Sequence, residues 1–194
     1  MNANEPQPSV QLIHGALWNQ VLEDARKSPR RRKNYNFHTS MEDNPHRFLN
    51  VMLRDTYITP HRHLYPPKAE SFLVLEGRIA FFILDDAGEL VRTDILDATD
   101  AAFARGIDIA PGIWHTMIVL SEHAVCFEVK PGPYQPSDDK EFADWAPLET
   151  ELYVRIRKSD PPADQEARCR AYRNDLLNRA GVFAQANVDP GRNP

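Results

Sequence analysis

Cysteine is scarce in this chain. Only Cys126, inside an apolar run, and Cys169, in a helix-like segment, occur among 194 residues, and no CxxC pair is present. A disulfide framework is thereby excluded, and both thiols read as reduced and inert. Long apolar runs are missing as well: none approaches the ~20 residues a membrane span needs. The start, Met1-Asn2-Ala3-Asn4-Glu5-Pro6, has neither the basic nor the apolar region of a secretory signal. A cytoplasmic protein without a membrane partner is the expectation. Positive charge does not predominate, since 23 Lys and Arg against 28 Asp and Glu give a formal net charge of -5, which argues against a dedicated nucleic-acid binder. No internal repeat and no Walker, GxGxxG or GxSxG fingerprint is found. What remains is an ordinary globular composition, 42% hydrophobic and 26% charged, long enough for one core with appendages.

One stretch departs from the acidic balance. Arg30-Arg31-Arg32-Lys33, preceded by Arg26 and Lys27, is a dense positive block. It suits an anionic small molecule or an acidic neighbouring subunit, and equally a solvated basic surface.

The pattern along the chain divides it in three. Residues 1–11 are polar and read as disordered. From Leu12 to Lys27, Leu17, Val21, Leu22 and Ala25 recur at helical spacing and Pro29 ends the run, predicting an amphipathic helix. Asn34 to Ser40 reads as an edge strand or a loop over a pocket. Eight short β-branched and aromatic segments follow: Phe48–Leu53, Thr56–Thr59, Ser71–Glu76, Ile79–Leu84, Leu90–Ile95, Ile107–Ile109, Trp114–Leu120 and Val125–Val129. Turn residues at Glu76-Gly77, Asp85-Asp86-Ala87-Gly88, Arg105-Gly106 and Pro111-Gly112 separate them. No helix intervenes, so a βαβ architecture is excluded and a sandwich or barrel is expected. Beyond Lys130 lies a proline-rich crossing. Leu152–Ile156 alternates as an extra strand would, and Asp164–Arg179 predicts a modest amphipathic helix stopped by Gly181.

The residues with chemistry in them lie within the strand region. His61 and His63, at i and i+2, share one face of a strand and can grip one ion together. Glu70, and His115 within Pro111-Gly112-Ile113-Trp114-His115, would complete an N3O set for a first-row divalent ion with positions left open. Glu70 directly precedes the apolar run Ser71–Leu75, where an unpaired buried carboxylate is costly and a metal would remove the penalty. His38 is either a pocket donor or a support for a ligand, while His14, His46 and His123 read as surface residues. Strand parity puts Met117 and Val119 with His115, Phe72 and Val74 with Glu70, and Cys126, Glu128 and Lys130 together, giving an apolar pocket with a few convergent charges. Glu128 and Lys130 are candidate catalytic groups for acid–base work, or a structural pair closing the rim. Tyr57 and Tyr65 could donate to a substrate oxygen, although packing is the commoner role.

His61-Arg62-His63, Glu70 and Gly77 resemble the first cupin motif, and Gly106 to His115 resembles the second. More narrowly, Ser28 to Asn34, Asn36-Phe37-His38, Arg47 to Asn50, Thr56-Tyr57, Pro60 to His63, Glu76-Gly77-Arg78, Phe127 to Tyr134 and Trp145-Ala146-Pro147 resemble the WbuC-type cupin-fold metalloproteins of bacterial polysaccharide gene clusters. Three departures are visible. The His63 to Glu70 spacing exceeds the usual one, Gly106 to Pro111 is one residue short, and Val119 stands where many cupins carry Asn. The resemblance implies an all-β double-stranded β-helix, the cupin jelly roll, with an N-terminal helix and a C-terminal extension containing a short helix. The cupin domain would cover 12–147 and the extension 148–194. It implies metal ligands at His61, His63, Glu70 and His115, holding one divalent transition metal (Fe, Mn, Ni or Zn). Arg31, Arg32, Asn36, His38 and Tyr57 are the candidate contacts for a small anionic or sugar-derived ligand. The expected function is a metal-dependent isomerase or epimerase of surface polysaccharide metabolism, with an Fe(II) dioxygenase or a non-catalytic carbohydrate- or carboxylate-binding cupin as alternatives. Exposed sheet edges suggest a homodimer.

Overall fold

The computed structural model describes residues 8–135 and 139–182; most of the expected disordered start, and the tail beyond Val182, lie outside them. The elements run α1 (Gly15–Lys27), β1 (Arg32–Asn36), β2 (His46–Leu53), β3 (His61–Arg62), β4 (Glu70–Glu76), β5 (Arg78–Leu84), β6 (Leu90–Asp97), β7 (Gly106–Ile109), β8 (Trp114–Val119), β9 (His123–Lys130), β10 (Glu141–Phe142), α2 (Thr150–Arg157) and α3 (Gln165–Arg179). Two five-stranded antiparallel sheets face each other, ordered β1-β2-β9-β4-β7 and β10-β3-β8-β5-β6. This is the expected double-stranded β-helix, with helices at both ends of the chain. No helix among the described residues is long and apolar enough to cross a membrane.

Alternation decides what each strand faces. Met52, Phe72, Val74, Phe81, Met117, Val119 and Cys126 point between the sheets and form the inner core. The opposite faces are also covered. Val21, Leu22 and Ala25 of α1 pack on Leu49, Val51 and Leu53 of β2. Leu176 and Leu177 of α3, with Ala143 and Ala146, pack on Phe82, Trp114 and Ile118 of the other sheet. β8 is therefore buried at every position, and its sequence shows no polar–apolar alternation.

Asn34 to Asn36 belong to the edge strand β1. Three expectations need correction. Leu152–Ile156 lies inside the helix α2 and buries only Leu152, leaving Val154 and Ile156 exposed, so its period-two alternation marks no buried sheet face. Thr56–Thr59 carries no strand pairing, because Thr56 Oγ1 instead donates to the Arg31 carbonyl (2.6 Å) and Thr116 Oγ1 to the Ile58 carbonyl (2.7 Å). The first helix begins at Gly15 rather than Leu12, which is exposed.

Gly77 joins β4 to β5 at φ +80°, and a Cβ there would collide with the His123 carbonyl oxygen. Gly77→Ala combines left-handed strain with a backbone clash, so a loss above ~1 kcal/mol is expected. Urea denaturation should read it as a lower midpoint with unchanged m-value.

Candidate metal centre

Two of the four expected ligands face each other across a ladder: His61 on β3 is the register partner of His115 on β8. His63 follows directly after β3, and Glu70 is the first residue of β4. The Pro111-Gly112 turn, with Gly112 at φ +81°, delivers His115 and is tied down by the Gly112 N–H donating to the His63 carbonyl (3.0 Å). All four residues are buried, and one donor atom from each lies within 4.8 Å of all the others. One ion with bonds of about 2.0–2.2 Å spans that spread after small side-chain adjustments.

The hydrogen bonds specify the tautomers. Nδ1 of His61 donates to the Thr59 carbonyl (3.1 Å), Nδ1 of His115 to the Ile113 carbonyl (2.9 Å), and Nδ1 of His63 to the Asp139 carbonyl. A carbonyl only accepts, so each Nδ1 carries the proton and each Nε2 presents a lone pair. Burial pushes the His61 and His63 imidazoles below their usual range, keeping them neutral. The lone pairs of His63 and His115 then point at Glu70 Oε1 and Oε2 at 3.0 Å each. Burial opposes a charge on Glu70, and the Lys130 ammonium favours it. These contacts set acceptor against acceptor, and the four atoms His63 Nε2, His115 Nε2 and both Glu70 oxygens are buried with no hydrogen-bond partner. Unmatched buried acceptors are costly; a cation at their centre satisfies all four. The residues therefore fit a divalent metal ion.

Around this cluster opens a cavity of about 560 Å³, within the usual range for small-ligand sites. Glu128 and Lys130 line it, as do Arg32, Asn36 and His38. Arg31 and Tyr57 do not. Arg31 pairs with exposed Asp55 (2.9 Å), and the Tyr57 hydroxyl donates to the Pro147 carbonyl (2.8 Å) while its ring packs edge-on to Tyr172. Arg32, though at the cavity wall, is committed: its guanidinium holds Glu149 (2.6 Å) and the Tyr57 carbonyl (2.8 Å). The basic block is thus largely an internal ion-pair system. Lys130 pairs with Asp139 (3.1 Å) and Glu70 (3.5 Å) rather than with Glu128.

Other residues at the site carried no signal in the sequence. Lys68 is buried and donates to Asp139 (2.7 Å) and the Pro133 carbonyl (2.6 Å), which straps the segment after β9 over the barrel. Lys140, half-buried, places Nζ 2.9 Å from His61 Nε2. Asn50 Nδ2 donates to Glu128 (3.4 Å). His46 is buried rather than superficial, stacked on His38 with centroids 4.1 Å apart, and His123 is half-buried against Glu76 (2.6 Å). Burial and the nearby Glu70 charge raise the Glu128 carboxyl above its usual range.

Residues 13–96 match the family model of a domain of unknown function, DUF6016, and no curated protein matches the sequence. Among solved structures, the capsular polysaccharide assembling protein CapF from Staphylococcus aureus is 18% identical with a TM-score of 0.50, covering 59% of this chain and 32% of CapF. A protein from Shewanella oneidensis is 11% identical, with a TM-score of 0.49 over 76% of this chain and 92% of its own. The oxalate decarboxylase OxdC of Bacillus subtilis is 16% identical, with a TM-score of 0.45 over 64% and 31%. The chain thus spans about a third of CapF's length. The CapF likeness concerns the fold alone.

Proposed function

We propose that this cupin is a metal-dependent enzyme acting on a small anionic, sugar-derived ligand by moving a proton on it, in the manner of an isomerase or epimerase. The observation that carries the reading is the convergence of four buried ligand side chains, three of them with unsatisfied acceptor atoms, beside a cavity that also holds ionisable side chains. His61, His63, Glu70 and His115 would hold the ion, which when bound polarises a carbonyl or hydroxyl of the ligand. Glu128, buried and raised, carries a proton near neutral pH and is placed to give or take one. Lys140, with no carboxylate within ion-pair distance among the described residues, supplies positive charge for an anionic group. Fe, Mn, Ni and Zn all suit the donor set. Membership of the WbuC type, a place in bacterial polysaccharide metabolism, a cytoplasmic location and a homodimer built on the sheet edges belong to the same reading; they rest on the sequence resemblance and on the exposed edge strands.

The test uses metal-loaded protein with anionic sugars in D2O. Deuterium should enter at the carbon beside the carbonyl, followed by NMR, with no oxygen consumed. Glu128→Gln should slow exchange by ~100-fold or more while retaining the metal. Oxygen uptake in place of exchange would move the assignment to a dioxygenase, and binding without either would leave a carbohydrate-binding cupin.

A further inference from the structure

Asn50 lies on β2 at the cavity wall and is 9% exposed. Its Nδ2 donates to Glu128 Oε2 (3.4 Å), which fixes Oδ1 as the free end of the amide, and Oδ1 is buried with no partner. An acceptor in that position calls for a donor. Carboxylate and phosphate oxygens cannot supply one, whereas a hydroxyl can. Glu128 beside it offers a second acceptor to the same region.

The charge at the metal edge is equally particular. Lys68 and Lys130 share Asp139, and Lys130 also reaches Glu70. Lys140, at 2.9 Å from His61 Nε2, has no carboxylate within ion-pair distance among the described residues. At the metal edge this leaves one ammonium for a ligand, a match for a singly charged group; Lys33, the other cavity lysine without an ion pair among the described residues, is exposed on β1. Arg30 and Arg32, the arginines of the cavity, are already engaged by Glu149, so the bidentate clamp that favours phosphate is spent. Glu128 and Lys130 sit two residues apart on β9, about 7 Å along the strand, and Lys130 reaches Glu70 at the metal edge, so the Asn50–Glu128 acceptors and the metal edge are separated by roughly one sugar ring.

We propose that the cavity selects a polyhydroxylated carboxylate of monosaccharide size, a sugar acid, whose carboxylate lies at the metal and Lys140 while a ring hydroxyl donates to Asn50 Oδ1. This rests on the anionic-ligand reading above and narrows it.

Isothermal titration calorimetry on the full chain loaded with Zn2+ tests it with D-glucuronate, cyclohexanecarboxylate (the same charge without hydroxyls) and D-glucose 6-phosphate. Glucuronate should bind at least about tenfold more tightly than cyclohexanecarboxylate. Asn50→Leu should bring the two within about threefold by weakening glucuronate alone, with metal content unchanged; Asn50→Ser serves if the leucine variant does not fold. Lys140→Met should weaken both carboxylates by a similar factor. The assignment is overturned if the wild type fails to prefer glucuronate over cyclohexanecarboxylate, or if the preference survives both Asn50 variants. Tighter binding of glucose 6-phosphate than of glucuronate would remove the sugar acid and leave the anionic-sugar reading standing. Binding of none of the three would overturn both.

Discussion

Replacing His61 and His63 together by alanine should abolish the binding of about one divalent ion per chain, read by elemental analysis against the wild type. Both residues sit in the cluster whose four donors lie within 4.8 Å of one another, and Glu70 with His115 alone retains too few donors to compete with water. A second readout comes from stability. An ion present at ~1,000 times its dissociation constant stabilises the folded state by ~4 kcal/mol, and in a chain of this size each kcal/mol moves Tm by roughly 2–4 °C. EDTA should therefore lower the wild-type Tm by about 10 °C and leave the double variant nearly unmoved. A wild type that takes up no metal after reconstitution, and whose Tm ignores EDTA, would remove the metal centre.

Arg32→Ala should be the most damaging single change outside the cluster, at ~3–5 kcal/mol. The Arg32 and Glu149 side chains are 8% and 12% exposed and meet at 2.6 Å, so alanine leaves a carboxylate buried without its main counter-charge. Burial opposes the Glu149 charge, while Arg32 and Arg30 outweigh it and hold its pKa below the usual value. The contribution of this pair is thus present above the unfolded carboxyl pKa of about 4.3 and is lost as pH falls through the lower folded value. In Arg32→Ala burial dominates and the carboxyl rises. The stability deficit should accordingly be largest near neutral pH, shrink as pH falls below the unfolded carboxyl value, and vanish only below the lowered wild-type value, where Glu149 is protonated in both proteins. Arg32→Met with Glu149→Leu should cost clearly less than Arg32→Ala. Denaturant titrations at several pH values measure all three, and a deficit independent of pH would mean that the ion pair is not its cause.

These two sites show where the chain could be read directly and where it could not. The sheet region was legible because alternation is local: the residues expected to share faces with His115, Glu70 and Lys130 do line the inner core or the cavity. Glu70 was legible because a carboxylate at the head of an apolar run needs a reason. Pairings between remote segments left no such trace. β10 exists only because Glu141 and Phe142 meet Arg62 and His61 across the sheet, and two residues have no periodicity to detect. Lys140 is carried to His61 by that pairing. The same limit governs the basic block, where four adjacent cations read as free charge while the acids that engage its three arginines, Asp55 and Glu149, are distant in the chain. Leu152–Ile156 failed for the converse reason: local alternation that buries only Leu152 does not make a strand.

The imidazoles at the centre are aimed by main-chain carbonyls of Thr59, Ile113 and Asp139. Every amino acid brings that same oxygen, so side-chain scanning at Ile113 would register little even though the position steers His115. The aim of the histidines is written in the path of the backbone, and substitution maps of this protein will under-report the positions on which that aim depends.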